Sequence, residues 1–449
     1  MFKSIYPFTG EIVAEYAAER EPLKKVRQAE KTYISWHKTS LHERQALLLR
    51  FAEVLESRKL DYAKTISLEM GKRYSEALAE VEKCALTTRF YVEHAGEYIK
   101  PQVIASSYAR SYSTVEPLGT LLAIMPWNFP FWQALRAAVP NLLLGNTVLL
   151  KHASNVMGCA AAMEEAFLTA GLPEGAFQAL FLSSERIEEI IADPAVKGVT
   201  LTGSGPAGSS VAALAGKYLK KSVLELGGSD PFVVLKDANL KDAVEAAVAS
   251  RFQNAGQTCI AAKRWILEDG IYDEFLALAL EKIKLLKPGD PFAHTTNLAP
   301  VSREDLAETI EGQVKHLIIS GATPLLQGER HTCLLEPSVL EITADLSRDY
   351  KEELFGPVAL VLRANDPEEA LTIANETTFG LGASLWTQDL EKAAYYMRQI
   401  HAGAVYLNSM VKSEGALPFG GIGESGYGRE LGKYGMHEFA NLKTYAIHI

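Results

Sequence analysis

Cys259 closes a polar, glycine-bearing run, Asn254-Ala255-Gly256-Gln257-Thr258, a setting in which a thiol could serve as a nucleophile. A thiol attacks only after losing its proton, so its use depends on exposure, neighbouring charge and a partner base. Taken alone, a cysteine is more often a small buried hydrophobe. Three other stretches hold possible partners. Glu225, in LELGGSDP (224–231), ends an expected strand over 222–226 and precedes two glycines. Partial desolvation would move such a carboxyl toward the working pH of a general base; the plainer alternative is a strand-end salt bridge. Asn128, in MPWNFP (125–130), is held between two prolines that fix the turn. Its amide could donate to an oxyanion or simply stabilise its own turn. Gly203-Ser204-Gly205-Pro206-Ala207-Gly208 reads G-x-G-x-x-G between an expected strand (197–202) and helix (206–219), as a dinucleotide-binding turn does. Glu225 then falls near the spacing of a ribose-binding acid, so two roles compete for it. The strand before these glycines is not the first of its α/β region, which speaks against the ribose role. Lys151, ending an expected strand over 146–151, is the better ribose candidate, because open α/β sheets bind ligands at strand C-termini.

The elements that must position these residues follow from pattern. The chain has 449 residues, enough for two or three domains with a large core. Hydrophobic residues make up 48% and charged residues 22%, the balance of an ordinary globular protein. The net charge of −10 argues against a general nucleic-acid or anionic-membrane binder. Cys84, Cys159, Cys259 and Cys333 are widely spaced without C-x-x-C, so neither a metal site nor a disulfide framework is expected, and a reducing, cytoplasmic setting fits. The N-terminal stretch has no signal-peptide core, and the apolar run 137–144 is interrupted at Pro140 and Asn141. Residues 4–15 read as a hairpin turning at Thr9-Gly10. Residues 21–98 read as helical, with Ser40 and Glu43 as a capping box. Residues 100–117 read as an extended hairpin. From 118 the texture is α/β, with strands at 119–125, 146–151, 176–182 and 197–202 and helices at 131–144 and 156–170. A second α/β region begins near 230, with strands at 231–235, 263–268, 358–363, 381–386 and 403–407. Helices 240–255, 271–286, 302–319, 366–375 and 389–400 lie among them. The tail 440–449 alternates and could pair as an edge strand.

Seven motifs occur in one order: PWNFP, the strand ending in Lys151, TGS (202–204), ELGG (225–228), FQNAGQTC (252–259), EELFGP (352–357) and LPFGGIGESGYGRE (417–430). Together they resemble the aldehyde dehydrogenase superfamily over nearly the whole chain. KHASNVMGCA (151–160), ELGGSDPF (225–232) and the short N-terminus are closest to the short bacterial succinate-semialdehyde dehydrogenases. The resemblance implies that Cys259 attacks an aldehyde, that Asn128 holds the oxyanion and that Glu225 activates the water that hydrolyses a thioester. It implies an NAD or NADP site made by Trp127, Lys151, Ser154, Gly203, Ser204, Glu353 and Phe355. Ser204 would meet a phosphate and Glu353 the nicotinamide ribose, with Gly205 and Gly208 mainly steric. Many relatives carry an acid three residues after the strand-end lysine. Here that position is Ser154, so a 2′-phosphate meets less repulsion and NADP is expected to be accepted beside NAD. Ser229 stands where many relatives have lysine, as in the succinate-semialdehyde subgroup.

By the same resemblance the face carrying Trp132 and Arg136 lines the substrate tunnel, with Ser413 as a second contact. A guanidinium can bind a carboxylate bidentately, although Arg136 in a structural ion pair is the competing reading. Oxidation of glutarate semialdehyde or an aliphatic aldehyde, a non-catalytic binding role and a CoA-acylating reaction remain as alternatives. The implied fold is α/β: a Rossmann-type cofactor domain (1–98 and 118–226), an α/β catalytic domain (227–424) and a small bridging, oligomerising hairpin (99–117 and 425–449). The hairpin and tail are expected to pair across subunits, giving a homodimer or a dimer of dimers.

Overall fold

From residue 118 onward, short apolar strands alternate with helices, and the computed structural model, which describes residues 1–448, closes them into two main sheets. The first contains β1 (Thr120–Met125), β2 (Thr147–His152), β3 (Phe177–Ala179), β4 (Val196–Thr202) and β5 (Lys221–Glu225). Their spatial order is β3-β2-β1-β4-β5, all parallel. β1 and β2 are buried almost throughout, as the unbroken apolar runs TLLAIM and TVLL require of strands covered on both faces. The winding direction reverses at β1, so the C-terminal ends of β1 and β4 flank a crevice where such sheets bind ligands.

The second sheet holds β6 (Pro231–Val234), β7 (Arg264–Glu268), β8 (Thr323–Leu326), β9 (Ser338–Glu341), β10 (Val358–Ala364), β11 (Gly382–Trp386) and β12 (Ala404–Leu407). They run in the order β8-β9-β10-β7-β6-β11-β12, with only β8 antiparallel to its neighbour. β8 and β9 are not apparent in the sequence pattern, because each has only four residues and β8 carries a proline at the sheet edge.

Four helices carry the site. α1 (Tyr74–Tyr98) is the longest of the N-terminal helical layer, which includes the expected Ser40–Glu43 capping box. α2 (Pro130–Leu144) joins β1 to β2, and all its residues are buried. It continues through Pro140, and Asn141 Nδ2 donates to the Ala137 carbonyl at 2.8 Å. α3 (Gly205–Lys217) follows β4. α4 (Leu240–Phe252) stops three residues before its expected end, because Asn254 and Ala255 adopt left-handed backbone at φ 51° and 53°.

The bridging element divides in two. Gly426–Tyr427 pairs with β5 and extends the first sheet, and the helix Gly432–Glu438 packs on α2, so this part of 425–449 joins the body built on that sheet. The strand Arg110–Pro117 also finds its partner within the same chain, along the whole of Ala440–Ile447. Tyr112 stacks on Tyr445 across that pair at 4.9 Å. Ile449, the last residue of the expected edge strand, lies outside the described residues. The N-terminal hairpin forms as expected, from Phe2–Ile5 and Ile12–Tyr16. Among the described residues no helix is long and apolar enough to cross a membrane.

Candidate active site

The loop from α4 to β7 presents the thiol. Asn254, Ala255 and Gly256 all have positive φ, a run of strain of the kind that collects at functional sites. Only glycine fits at 256, since a Cβ there would collide with the Gly356 carbonyl. Gln257 fastens the turn, donating to the Asn254 carbonyl at 2.9 Å and accepting the Ser302 N–H at 2.8 Å. Arg251 holds the opposing EELFGP loop through the carbonyls of Leu354, Gly356 and Val358.

Cys259 is half-buried and forms part of the wall of two cavities. Burial pushes its thiol up to about 11, while Arg136 and Lys263 pull it down. The resting sulfur is therefore a neutral thiol, and attack requires its proton to leave.

The first cavity, about 350 Å³, opens over the strand ends of the first sheet. Asn128 lines it, and one Nδ2 hydrogen goes to the Gln257 carbonyl at 3.0 Å, leaving the other free. Trp127 and Phe355 meet edge to face at 5.8 Å on its wall. Gly203 and Ser204 stand at the N-terminus of α3, where Ser204 makes no side-chain cap and leaves the Gly205 and Ala207 N–H groups without one. An anion is the natural partner of such a terminus. Glu353 accepts the Gly228 N–H at 3.1 Å and pairs with Lys263 at 2.8 Å. A Cβ at Gly227 would displace the Glu353 carboxylate from this position. These features fit a dinucleotide: an uncapped helix end for phosphate, an acid for ribose hydroxyls and two aromatic rings for an apolar ring face.

Lys151 and Ser154 lie at the end of β2, one strand away from β1, and do not line this cavity. Lys151 is buried with its Nζ 3.4 Å from Ser184 Oγ, and burial lowers its pKa. Ser154 is exposed. His152 faces inward: its Nε2 donates to the Pro130 carbonyl at 2.9 Å, its Nδ1 accepts the Ala153 N–H at 3.0 Å, and burial drops its pKa to about 4. The glycine expectation divides. A Cβ at Gly208 would strike Leu226, whereas one at Gly205 would meet open space. Gly205 is thus not held by sterics.

The second cavity, about 320 Å³, lies on the other side of the sulfur. Trp132, Arg136 and Ser413 line it together with Phe419. Arg136 is not free. It pairs with the buried Glu430, approaches Thr202 Oγ1 at 3.3 Å and stands over the Phe419 ring at 4.7 Å. Arg136 thus makes a structural ion pair, and only Nη1 is left without a protein partner among the described residues.

Glu225 ends β5 and is 2% exposed. It lines neither cavity, and among the described residues both its oxygens lack a hydrogen-bond partner. Burial, reinforced by Glu430, holds its carboxyl well above the usual range. A buried, unpaired carboxyl of this kind acts as a base only in its ionised form. Lys263, Gln257, Glu430 and Lys83 also build the site but were not singled out from the sequence. Lys263 donates to the Cys259 carbonyl at 2.6 Å and so joins the nucleophile loop to Glu353.

Comparison with known proteins gives a consistent picture. The model of the "Aldehyde dehydrogenase family" matches residues 1–445. A "Probable succinate-semialdehyde dehydrogenase", specified for NADP(+), from Synechocystis sp. is 44% identical over 446 residues, 98% of each chain. The succinate-semialdehyde dehydrogenase (NADP(+)) of Deinococcus radiodurans is 43% identical, covering 98% of this chain and 94% of its own. The crystal structure of the succinic semialdehyde dehydrogenase from Streptococcus pyogenes with NADP+ superposes with a TM-score of 0.97 at 35% identity, over 100% of both chains.

Proposed function

The chain belongs to the aldehyde dehydrogenase family, and from that premise we propose that it oxidises succinate semialdehyde to succinate, with NADP or NAD as oxidant. The observation that carries this reading is the place of Cys259, shared between a cavity with features for a dinucleotide and a cavity edged with cations. The relatives named for succinate semialdehyde and NADP support the choice of substrate and cofactor.

In this reading the Cys259 thiolate attacks the aldehyde carbon and forms a thiohemiacetal. The free Asn128 N–H and the Cys259 backbone N–H hold the oxygen, a contribution of about 10²–10³-fold in rate. Trp127, Gly203, Ser204, Glu353 and Phe355 hold the nicotinamide half and phosphates, with Lys151 and Ser154 toward the adenosine ribose. The bound cofactor supplies the hydride acceptor. Glu225, once ionised, deprotonates the water that releases the acid from the Cys259 thioester. No acid stands at Ser154 to repel a 2′-phosphate, which favours NADP. Arg136 Nη1 and Ser413 Oγ are donors for the distal carboxylate. The bridging sheet leaves Ala440–Ile447 at an edge, and edges of this kind call for a partner, so a homodimer or dimer of dimers belongs to the proposal. A reducing, cytoplasmic setting suits a protein whose four thiols are all free.

The test is a panel of aldehydes assayed at 340 nm with each cofactor. Succinate semialdehyde should give the highest kcat/KM, above glutarate semialdehyde and butanal, with NADP within about 10³-fold of NAD or better. A preference for butanal would defeat the substrate assignment.

A further inference from the structure

The cations near the nucleophile are nearly all spoken for. Arg136 pairs with Glu430, Lys263 with Glu353, and Lys72 with Glu80. Two that line the Cys259 cavity are exceptions, the exposed Lys412 and Lys83 on α1: among the described residues no carboxylate lies within ion-pair distance of either, and of the two only Lys83 is half-buried. Its Nζ donates to Ser413 Oγ at 2.9 Å and stands 3.9 Å from the centroid of the Trp132 ring. All three side chains line the Cys259 cavity.

We propose that Lys83, acting with Ser413, is the main receptor for the distal carboxylate of the substrate, with Arg136 in a secondary place. This rests on the reading of the substrate as a semialdehyde. An ammonium has three donors, and Ser413 uses one, so two remain for an anion. Because Ser413 accepts from Lys83, its own proton is free to donate to the same anion. The two groups therefore form a ready-made pair of donors on one wall. Trp132 and Phe419 supply apolar surface for the methylenes between the reacting carbon and the carboxylate. Neither nearby acid pairs with Lys83. Glu80 on α1 is occupied by Lys72 and by the Phe131 and Trp132 N–H groups, and Glu414, exposed beside Ser413, lines the same cavity without reaching ion-pair distance. A half-buried cation without an anion is costly, and this one is poised for an anion that arrives from outside. Burial, with Arg136 nearby, brings its pKa down to about 8, and a bound carboxylate would raise it again.

The experiment compares the wild type, Lys83→Met and Lys83→Arg on succinate semialdehyde and on butanal, the uncharged aldehyde of the same chain length, at saturating NADP. Lys83→Met keeps the length of the stem and removes the charge. It should raise KM for succinate semialdehyde about 30-fold, the loss of one charge-assisted contact, and at least ten times more than it raises KM for butanal. Lys83→Arg should recover most of the loss. In parallel, the product succinate should raise the melting temperature of the wild type and of Lys83→Arg but not that of Lys83→Met. This second readout does not need turnover. Equal effects on both aldehydes, or a full succinate shift in Lys83→Met, overturns the assignment of Lys83 while the substrate reading stands. A wild type that prefers butanal instead removes the substrate reading, and this inference with it.

Discussion

The two cavities that meet at Cys259 are built in opposite ways. The cofactor-side cavity is assembled from turns at strand C-termini: Trp127 and Asn128 after β1, Gly203 and Ser204 after β4, Gly227 after β5. Its chemistry lies largely in backbone N–H groups, one aromatic pair and one carboxylate. The substrate-side cavity is assembled from side chains on α1, α2 and the loop before Phe419, and its chemistry lies in cations against aromatic rings. The first kind of wall is set by local backbone geometry and serves one ligand class. The second is set by which side chains happen to project, and it can change specificity without disturbing the fold. Lys263, bonded to the Cys259 carbonyl and to Glu353, belongs to the first wall but touches the loop that serves both.

Substitutions can break or sharpen this contrast. The largest effect is expected where the cavities join: Cys259→Ala should lower NAD(P)H formation at least ~10⁴-fold with either cofactor, measured at 340 nm. Asn128→Ala should cost about 10²–10³-fold in kcat for charged and uncharged aldehydes alike, since it acts on the reacting oxygen. Arg136→Ala should behave differently. It leaves Glu430 buried without its partner, so about 3–5 kcal/mol of stability should be lost in urea unfolding. KM should rise more for succinate semialdehyde than for butanal. Equal KM changes would remove Arg136 from the substrate wall and leave it as a structural pair.

Acidity gives a further contrast. In the proposed reaction Cys259 and Glu225 both act in their deprotonated forms, and burial raises the pKa of both. Rates should therefore climb with pH from neutrality into the alkaline range, where unperturbed carboxylates would already have levelled off. A plateau beginning below pH 6 would contradict this account of the two groups. The smallest effect is expected at the far end of the cofactor. Ser154→Glu should shift the ratio of kcat/KM for NADP over NAD by about tenfold toward NAD, the effect of one like charge at an exposed site.

The contrast also explains what was legible in the sequence. The strand-turn-helix pattern around PWNFP and GSGPAG announces itself, because prolines and glycines mark turns that only a few residue types can make. Cys259 is identifiable through its partners in the seven ordered motifs rather than through its own polar run. Lys83 is not, since a lysine in the middle of a 25-residue helix carries no local sign of facing a cavity. Arg136 was visible as a tunnel residue, but its engagement with Glu430, 294 residues later, is a long-range fact. The two four-residue strands β8 and β9 and the return of Gly426–Tyr427 to the first sheet escaped notice for the same reason: their pairing is tertiary.

The central claim is that one sulfur, Cys259, serves both cavities and carries the acyl group between oxidation and hydrolysis. Glu225→Gln should stall that group by removing the base without changing the shape of the site. Intact-protein mass spectrometry of this variant, mixed with succinate semialdehyde and NADP and followed by peptide mapping, tests the claim directly. The account predicts one succinyl group per chain, on Cys259, that appears only when aldehyde and cofactor are both present. Acylation at another cysteine, or none while the variant still turns over, would contradict it.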